Sequence, residues 1–178
     1  VELGRTEEGA SIRIPSSAVN VRIDGPTLAG KSYATGLLAE GLIRQGYSVC
    51  VLDPEGDHAS LARLHACVAV GGHEPLPPAE RIATFFQPTF GSLVVDLSQL
   101  PRPDRARASV EILAAMQRQR ALSGFPQWIV VDEAHTILAS GEPGSEIFQP
   151  DQMGFCLVTY QPERLCERAS ACADYLVH

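Results

Sequence analysis

The chain has 178 residues, a length that favours one domain with a buried core. Apolar residues make up 45% and charged residues 20%, as is usual for globular proteins, and no apolar run approaches the roughly 18 residues that a membrane helix needs. The net charge of −7 argues against a large nucleic-acid-binding surface on this segment, because stand-alone DNA-binding domains usually carry positive charge.

The five cysteines are an odd number and contain no C-x-x-C pair. Cys50 and Cys156 lie inside apolar, strand-like segments. This pattern is typical of reduced, buried thiols in a cytosolic protein rather than of disulfides or a zinc site. The N-terminus is acidic and polar, unlike a signal peptide, and it begins with Val, which leads us to expect a processed chain or a piece of a longer protein. We therefore predict a cytoplasmic location without membrane association.

Short apolar segments alternate with helical segments along the chain. Residues 1–18 are expected to form a lead-in strand or hairpin. Strands are then predicted at 19–24, 47–53, 67–72, 91–97, 127–132, 154–160 and 174–178. Helices are predicted at 31–45, 57–65, 77–86, 103–121 and 163–170.

Several predicted strands are continuous apolar runs, among them VCVL, LVV, WIVV and FCLV. Strands of this kind are buried on both faces. Because helices separate them, the pattern predicts an α/β fold of three layers, with a mostly parallel sheet between two layers of helices. Ligands of such sheets bind beyond the carboxyl ends of the strands, where Gly25, Asp53, Asp132 and the segment 159–161 occur.

The long predicted helix at 103–121 has arginines near both ends. A solvated helix face is the favoured interpretation, although a local basic patch is not excluded by the net charge. The arginines concerned are Arg102, Arg105, Arg107, Arg118 and Arg120.

The first strand end carries the Walker A pattern G-x-x-x-x-G-K-[ST]. The matching residues are Gly25, Pro26, Thr27, Leu28, Ala29, Gly30, Lys31 and Ser32. Backbone N–H groups of such a loop surround a phosphate, and the helix that follows adds its unpaired N–H groups and positive dipole end. Lys31 is expected to reach the β- and γ-phosphates of a nucleotide, and Ser32 to offer its hydroxyl to Mg²⁺. The alternative, a chance Gly-Lys-Ser turn, is disfavoured by the strand before it and the helix after it.

The segment WIVVDEAH places Asp132 and Glu133 directly after a buried strand, as in a Walker B motif. An aspartate there can hold Mg²⁺ through water opposite Ser32, and a neighbouring glutamate can orient and deprotonate an attacking water. Alone, the doublet is equally well explained as a polar strand end that caps the next helix. Together with the upstream loop it favours a site for ATP and Mg²⁺. Trp128 is expected to be at least partly buried beside this site.

The two motifs resemble those of the additional-strand, catalytic-glutamate class of P-loop ATPases. Within that class, the chain is most similar to the HerA/FtsK-type ATPases, and the segments that carry this similarity are LGR, SIRIP, VCVLDPEGDH, WIVVDEAHTIL and GFCLVTYQPERL. The resemblance covers nearly the whole chain. It implies one P-loop NTPase domain over 1–178, with a RecA-like sheet and a nucleotide-binding core at 19–178.

The resemblance also implies a function. ATPases of this type bind ATP with Mg²⁺ and assemble into hexameric rings that pump DNA. Carried over by position, Lys31 and Ser32 would hold nucleotide and metal, Asp132 would hold Mg²⁺, and Glu133 would be the general base.

The chain departs from the family pattern at the end of the strand that follows the acidic doublet. The family often has Thr-Gln-Arg-Pro there, with the Gln as a sensor of the γ-phosphate, whereas this chain has Thr-Tyr-Gln-Pro at 159–162. Either Gln161, one position later in the chain, still acts as the catalytic sensor of the γ-phosphate, or the sensor is altered by Tyr160 in its place. Arg164 and Arg168 could donate an arginine finger, but surface salt bridges are the favoured role for both.

The acidic turn after the second core strand offers weaker site candidates, Glu55 and Asp57. A plain turn with an N-cap at Asp57 explains them at least as well.

Three functions are compatible with these residues. The first is an ATPase of the ring-motor kind that acts on DNA or another polymer. The second is a non-motor nucleotide-binding module with weak or no turnover, which the altered sensor and the acidic charge favour. The third is a small-molecule phosphotransferase, which Glu133 disfavours because a glutamate after the aspartate is suited to activating water.

Overall fold

The computed structural model describes residues 1–5, 7–86 and 91–178. A parallel sheet of seven strands forms its centre, and a two-stranded antiparallel hairpin precedes that sheet. The strands are β1 Glu2–Arg5, β2 Ser11–Arg13, β3 Val21–Asp24, β4 Val49–Asp53, β5 Cys67–Gly71, β6 Ser92–Asp96, β7 Trp128–Val131, β8 Phe155–Thr159 and β9 Tyr175–Val177. The α-helices are α1 Lys31–Arg44, α2 Ala79–Thr84, α3 Arg102–Ser123, α4 Pro143–Ile147 and α5 Glu167–Ala171. Short 3-10 helices lie at Ala59–Arg63, Ala134–Thr136, Pro150–Gln152 and Pro162–Arg164.

Apolar side chains cover both faces of the sheet, as the continuous apolar strands require. On one face, Leu38 and Leu42 of α1 pack with residues of the strands, including Val51 and Val130. The opposite face packs against α2, α3 and α4. The predicted three-layer α/β fold is therefore confirmed, and the hairpin of β1 and β2 lies within the expected lead-in segment.

The strand order is β5-β6-β4-β7-β8-β3-β9. Strand β8 lies between β3, which leads into the glycine loop, and β7, which leads into the acidic doublet. Two strand spacings thus separate these strands, or about 10 Å. This arrangement is the additional strand that the resemblance implies, and it puts both motifs at the carboxyl edge of one sheet.

Two predicted helices differ from the structure because tertiary contacts override local propensity. The segment predicted as a helix at 163–170 is divided into the 3-10 helix Pro162–Arg164 and helix α5. Between them, Leu165 forms an antiparallel bridge with Ala139, and the N–H of Cys166 donates to the carbonyl of Leu138. The helix predicted at 57–65 is only a 3-10 helix, Ala59–Arg63.

Trp128 is buried, as expected, but it does not lie beside the predicted site. It opens strand β7, whereas Asp132 follows the end of that strand. Its indole Nε1 donates to the carbonyl of Ser16 at 2.9 Å. Trp128 therefore belongs to the amino end of the sheet, which faces the lead-in segment.

The interpretation of the arginines as a solvated face holds for some of them and is wrong for Arg120. Arg107 and Arg118 form exposed ion pairs on the surface of α3. Arg120 is buried, and its guanidinium donates to the backbone carbonyls of Met153 and Gln127. No helix within the described ranges is both long and apolar enough to span a bilayer.

Candidate functional site

The glycine loop connects the end of β3 to the first turn of α1. Gly25 and Gly30 have φ angles of 151° and 89°, a region that glycine enters without steric cost. Leu28 also has a positive φ, 68°, and its side chain is almost fully exposed. A bulky residue in this conformation costs free energy, and such strain is often found where a loop must bind a ligand. The loop thereby delivers the chain to the amino end of α1, where backbone N–H groups lack helical partners.

Lys31 is the only lysine of the chain. Its Nζ donates to the carbonyl of Pro26 at 2.9 Å and lies 5.9 Å from the centre of the Tyr160 ring. A phosphate oxygen is a stronger partner for an ammonium group than a neutral carbonyl or an aromatic ring, because it adds the attraction between opposite charges. A phosphate in the loop would therefore compete well for this side chain.

The acidic turn after β4 is held by one buried carboxylate. Asp53 accepts the backbone N–H groups of Gly56, Asp57 and His58 at 2.7, 3.2 and 2.8 Å. Burial raises the pKa of Asp53, and these hydrogen bonds oppose the rise. The turn presents its next acidic side chains to the edge of the sheet, so Asp53 is a structural residue of the turn.

The two weaker candidates of this turn are in different positions. Asp57 accepts a hydrogen bond from the Ser32 hydroxyl at 2.9 Å, so it contacts the glycine loop directly. It is not the N-cap of the following 3-10 helix, since His58 holds that position. Glu55 forms an ion pair with Arg105 at 3.0 Å on the other side of the turn.

The acidic doublet follows β7. Asp132 is mostly buried, and one of its oxygens accepts the backbone N–H of Glu133 at 2.8 Å. Its other oxygen lies 3.3 Å from Nε2 of His58. Glu133 has a φ of 51°, a left-handed conformation that turns the chain sharply at the strand end. Burial, with the charges of Asp132 and Glu55, raises the pKa of Glu133 to about 7.

His135 connects the doublet to the end of β8. The N–H of Gln161 donates to Oγ1 of Thr159 at 3.0 Å, and the same oxygen lies 3.0 Å from Nδ1 of His135. Burial, followed by the charge of Arg164, lowers the pKa of His135, so the ring is neutral. Its Nε2 lies 3.4 Å from Oε2 of Glu133. This chain of contacts holds the Glu133 carboxylate.

Of the two sensor candidates, Tyr160 lies at the cleft and Gln161 does not. The Tyr160 ring lines the cleft and meets the His135 ring edge-on, with the ring centres 4.5 Å apart. The Gln161 side chain accepts a hydrogen bond from Arg164 at 2.9 Å instead.

A single open cleft of about 550 Å³ brings the two motifs together. Its walls include Lys31 and Ser32 from the glycine loop, and Asp132 and Glu133 from the doublet. Thr27, Leu28 and Gly30 also line it, whereas Gly25, Pro26 and Ala29 form the body of the turn. The volume is within the range of roughly 300–1,000 Å³ that is usual for small-molecule sites.

The polar groups around this cleft fit a hard divalent cation. The Ser32 hydroxyl and the carboxylates of Asp57 and Asp132 are oxygen donors, the ligand type that Mg²⁺ prefers. The sequence had not indicated three residues that the structure brings to this edge: His58, His135 and Arg102. His58 and His135 lie within the motifs DPEGDH and DEAH, but their contacts depend on strands that are distant in sequence.

These features define a P-loop NTPase fold of the additional-strand class. A sequence profile of the family described as "Helicase HerA, central domain" matches residues 22–123, which is more than half of the chain. The chain therefore belongs to this family, and the resemblance to HerA/FtsK-type P-loop ATPases is confirmed. Comparison with curated protein sequences gives no match.

Solved structures support the same fold. VirB4 of Thermoanaerobacter pseudethanolicus superposes with a TM-score of 0.66 at 14% identity, and the match covers 99% of this chain and 83% of that one. The genome packaging NTPase B204 from Sulfolobus turreted icosahedral virus 2, in complex with ATP-gammaS, has a TM-score of 0.60 at 16% identity, with 92% and 74% covered. The structure of the same NTPase with AMP gives 0.58 at 13% identity, with 92% and 75% covered.

Proposed function

We propose that this chain binds ATP with Mg²⁺ and hydrolyses it, as the ATPase element of a ring that moves DNA. The observation that carries the proposal is that the only lysine and the Asp132-Glu133 doublet, 101 residues apart in sequence order, line one cleft at the edge of a parallel sheet. The family, described as a helicase domain, supports the same class of activity.

The glycine loop would bind the phosphates. Lys31 would exchange the Pro26 carbonyl for phosphate oxygens, and the first N–H groups of α1 would donate to them. Ser32 would release Asp57 and turn its hydroxyl toward the metal, with Asp132 on the opposite wall. When bound, Mg²⁺ would neutralise charge on the phosphates.

Glu133 would be the general base. A carboxyl with a pKa of about 7 is poised to accept a proton near neutral pH, which suits it to activating water. The neutral His135 at 3.4 Å would keep this carboxylate oriented. Tyr160, rather than Gln161, would meet the terminal phosphate, because Tyr160 lines the cleft next to Lys31.

A ring of subunits would bring an arginine of a neighbouring subunit to the site and so speed turnover. In related chemistry an arginine from a neighbour contributes several powers of ten to the rate. Arg164 is engaged by Gln161 within its own subunit, and Arg168 donates to the carbonyl of Phe148. A hexamer that acts on duplex DNA is therefore proposed as the working state.

One observation favours a second candidate, a non-motor module that binds nucleotide with little turnover. The place of the usual sensor glutamine is taken by an aromatic ring, and the neighbouring Gln161 side chain is held outside the cleft by Arg164. An altered sensor would reduce hydrolysis and its coupling to movement while leaving nucleotide binding intact.

Phosphate release with and without long duplex DNA tests the two candidates. For the ATPase we expect DNA-stimulated release, reduced about a hundredfold or more in Glu133→Gln because the general base is lost. ATP binding should persist in this variant. Glu146→Gln, an exposed glutamate of α4, is the matched control and should behave like the wild type.

The outcomes are distinct. ATP binding without release in the wild type would support the non-motor module. Full activity in Glu133→Gln would remove Glu133 from the mechanism. Transfer of phosphate to a small acceptor rather than to water would establish a phosphotransferase instead.

A further inference from the structure

We propose that His58 is a positioning residue for Asp132, and that it fixes this carboxylate for metal binding at the nucleotide site. The inference rests on the proposed function, because it assigns His58 a part in the Mg²⁺ site of that same cleft. His58 lies outside the glycine loop and the acidic doublet, and it reaches the site from the opposite side of β7.

The acidic turn holds His58 in a fixed position. Its backbone N–H donates to Oδ2 of Asp53 at 2.8 Å, and Asp53 is itself fully buried. The His58 side chain is 2% exposed, so the imidazole is enclosed by protein. Since β4 and β7 are hydrogen-bonded neighbours in the sheet, the turn after β4 delivers this ring to the end of β7.

The ring meets one oxygen of Asp132. Nε2 of His58 lies 3.3 Å from Oδ2 of Asp132, and within the described part of the chain this nitrogen has no hydrogen-bond partner. The other oxygen of Asp132 accepts the N–H of Glu133. Both oxygens thus have a protein neighbour, and rotation of the carboxylate away from the cleft would break one contact or the other.

A histidine with a purely structural role is not expected to leave a buried ring nitrogen without a hydrogen bond. A buried polar atom without a hydrogen bond costs free energy. The cost is explained if the nitrogen serves a partner whose orientation matters, and its nearest charged neighbour is Asp132. Carboxylates that hold metals are usually oriented by such outer contacts, and their loss typically weakens metal binding about 10- to 100-fold.

A metal ion held directly by Asp53, His58 and Asp132 is the rival explanation. Their ligand atoms lie within 4.8 Å of one another, and all three residues are buried. Asp53, however, already accepts three backbone N–H groups, and these bonds close the turn. An ion there would compete with the bonds that build the site, so support of Asp132 accounts better for the geometry.

The test is metal affinity, measured apart from catalysis. Binding of Mn²⁺ is followed by electron paramagnetic resonance in the presence of a non-hydrolysable ATP analogue, and analogue binding without metal is measured in parallel. We expect His58→Leu to weaken Mn²⁺ binding about tenfold or more, with analogue affinity in the absence of metal unchanged. His58→Gln should recover most of the loss, because its amide can place an N–H near Oδ2. His65→Leu, an exposed histidine of the same region, should change nothing.

Three results would overturn the inference. The first is wild-type Mn²⁺ affinity in folded His58→Leu. The second is an equal loss in the Gln and Leu variants that follows their thermal unfolding. The third is tight Mn²⁺ binding by the wild type without nucleotide that His58→Leu and Asp132→Ala both abolish, which would establish the rival site. If the wild type binds the analogue and hydrolyses ATP, these results leave the proposed function standing, whereas a wild type that binds no analogue removes both.

Discussion

The two ends of the central sheet are built from different chemistry. At the amino end, the buried side chains of Arg120 and Asn20 are bonded to backbone groups. At the carboxyl end, carboxylates and imidazoles are crowded together around an open cleft. The same seven strands thus have one end that stabilises the fold and another that keeps its polar groups available for a ligand.

Arg120 and Asn20 illustrate the amino end. Arg120 donates to the carbonyl of Met153 at 2.7 Å and to that of Gln127, and its guanidinium stacks over the ring of Phe155 at 4.9 Å. Burial lowers the pKa of Arg120 to about 10, still far above neutrality. Asn20 donates to one carbonyl and accepts the N–H of Phe155, so the strand beginnings are tied to their neighbours.

The carboxyl end is built differently. His58 has a buried nitrogen without a hydrogen bond, Glu133 has a positive φ, and Lys31 is bonded only within its own loop. Each feature costs stability, and all three lie at the edge of the sheet that carries the cleft. The two ends should therefore respond to substitution independently, and the following changes test that separation.

The largest effect is expected for Lys31→Ala, which should weaken ATP binding about a hundredfold or more, because a charge-assisted contact to phosphate is lost. The free energy of unfolding should stay the same, since Lys31 contacts only its loop and the Tyr160 ring. Isothermal titration with ATP and urea unfolding measure the two quantities. Arg44→Ala, at the other end of α1, is the control. Tight ATP binding by Lys31→Ala would contradict the assignment.

Arg120→Met should lower the free energy of unfolding by about 2 kcal/mol, because two buried carbonyls lose their donor. ATP affinity of the folded protein should not change. Arg118→Met, which breaks only an exposed ion pair, should remain within about 0.5 kcal/mol of the wild type. If Arg120→Met weakened nucleotide binding at a concentration of urea where it is fully folded, the two ends would be coupled.

The smallest effect is a pH dependence at the carboxyl end. The pKa of Glu133 is about 7 in the folded protein, above its ordinary 4.5, so between these values the folded state holds a proton that the unfolded state has lost. Stability should therefore fall as pH rises through this window and level off above it. The amide of Glu133→Gln does not ionise, so this variant lacks that pH dependence.

Urea unfolding of both proteins without nucleotide or Mg²⁺ measures this difference. The two should be equally stable at pH 4, and Glu133→Gln should be the more stable at pH 8. The titration of Asp53, whose pKa is raised mainly by burial, is common to both proteins and cancels in the comparison. If the free energies of unfolding of the two proteins changed in parallel between pH 4 and pH 8, Glu133 would have an ordinary pKa.

Local sequence was sufficient to predict the fold and the positions of both motifs. Continuous apolar strands dictate a sheet buried on both faces, and the glycine loop has fixed residues at fixed spacing. The order of strands, with β8 between β3 and β7, was not predicted from the residues.

The misses depend on contacts that hydrophobic periodicity does not reveal. The break at Leu165 arises from its bridge to Ala139, and the burial of Arg120 arises from carbonyls 7 and 33 residues away. The choice between Tyr160 and Gln161 was left open by sequence. In the structure it depends on Thr159 and Arg164, which hold Gln161 away from the cleft.

The single lysine has a practical consequence. Thirteen of the fourteen basic side chains are arginines, so the protein carries its only side-chain amine in the glycine loop. Isotopic methylation of amines would add one lysine resonance to the spectrum, apart from that of the chain terminus. That resonance would come from the cleft proposed to bind ATP, in the unmutated protein, and it would test directly whether added nucleotide reaches Lys31.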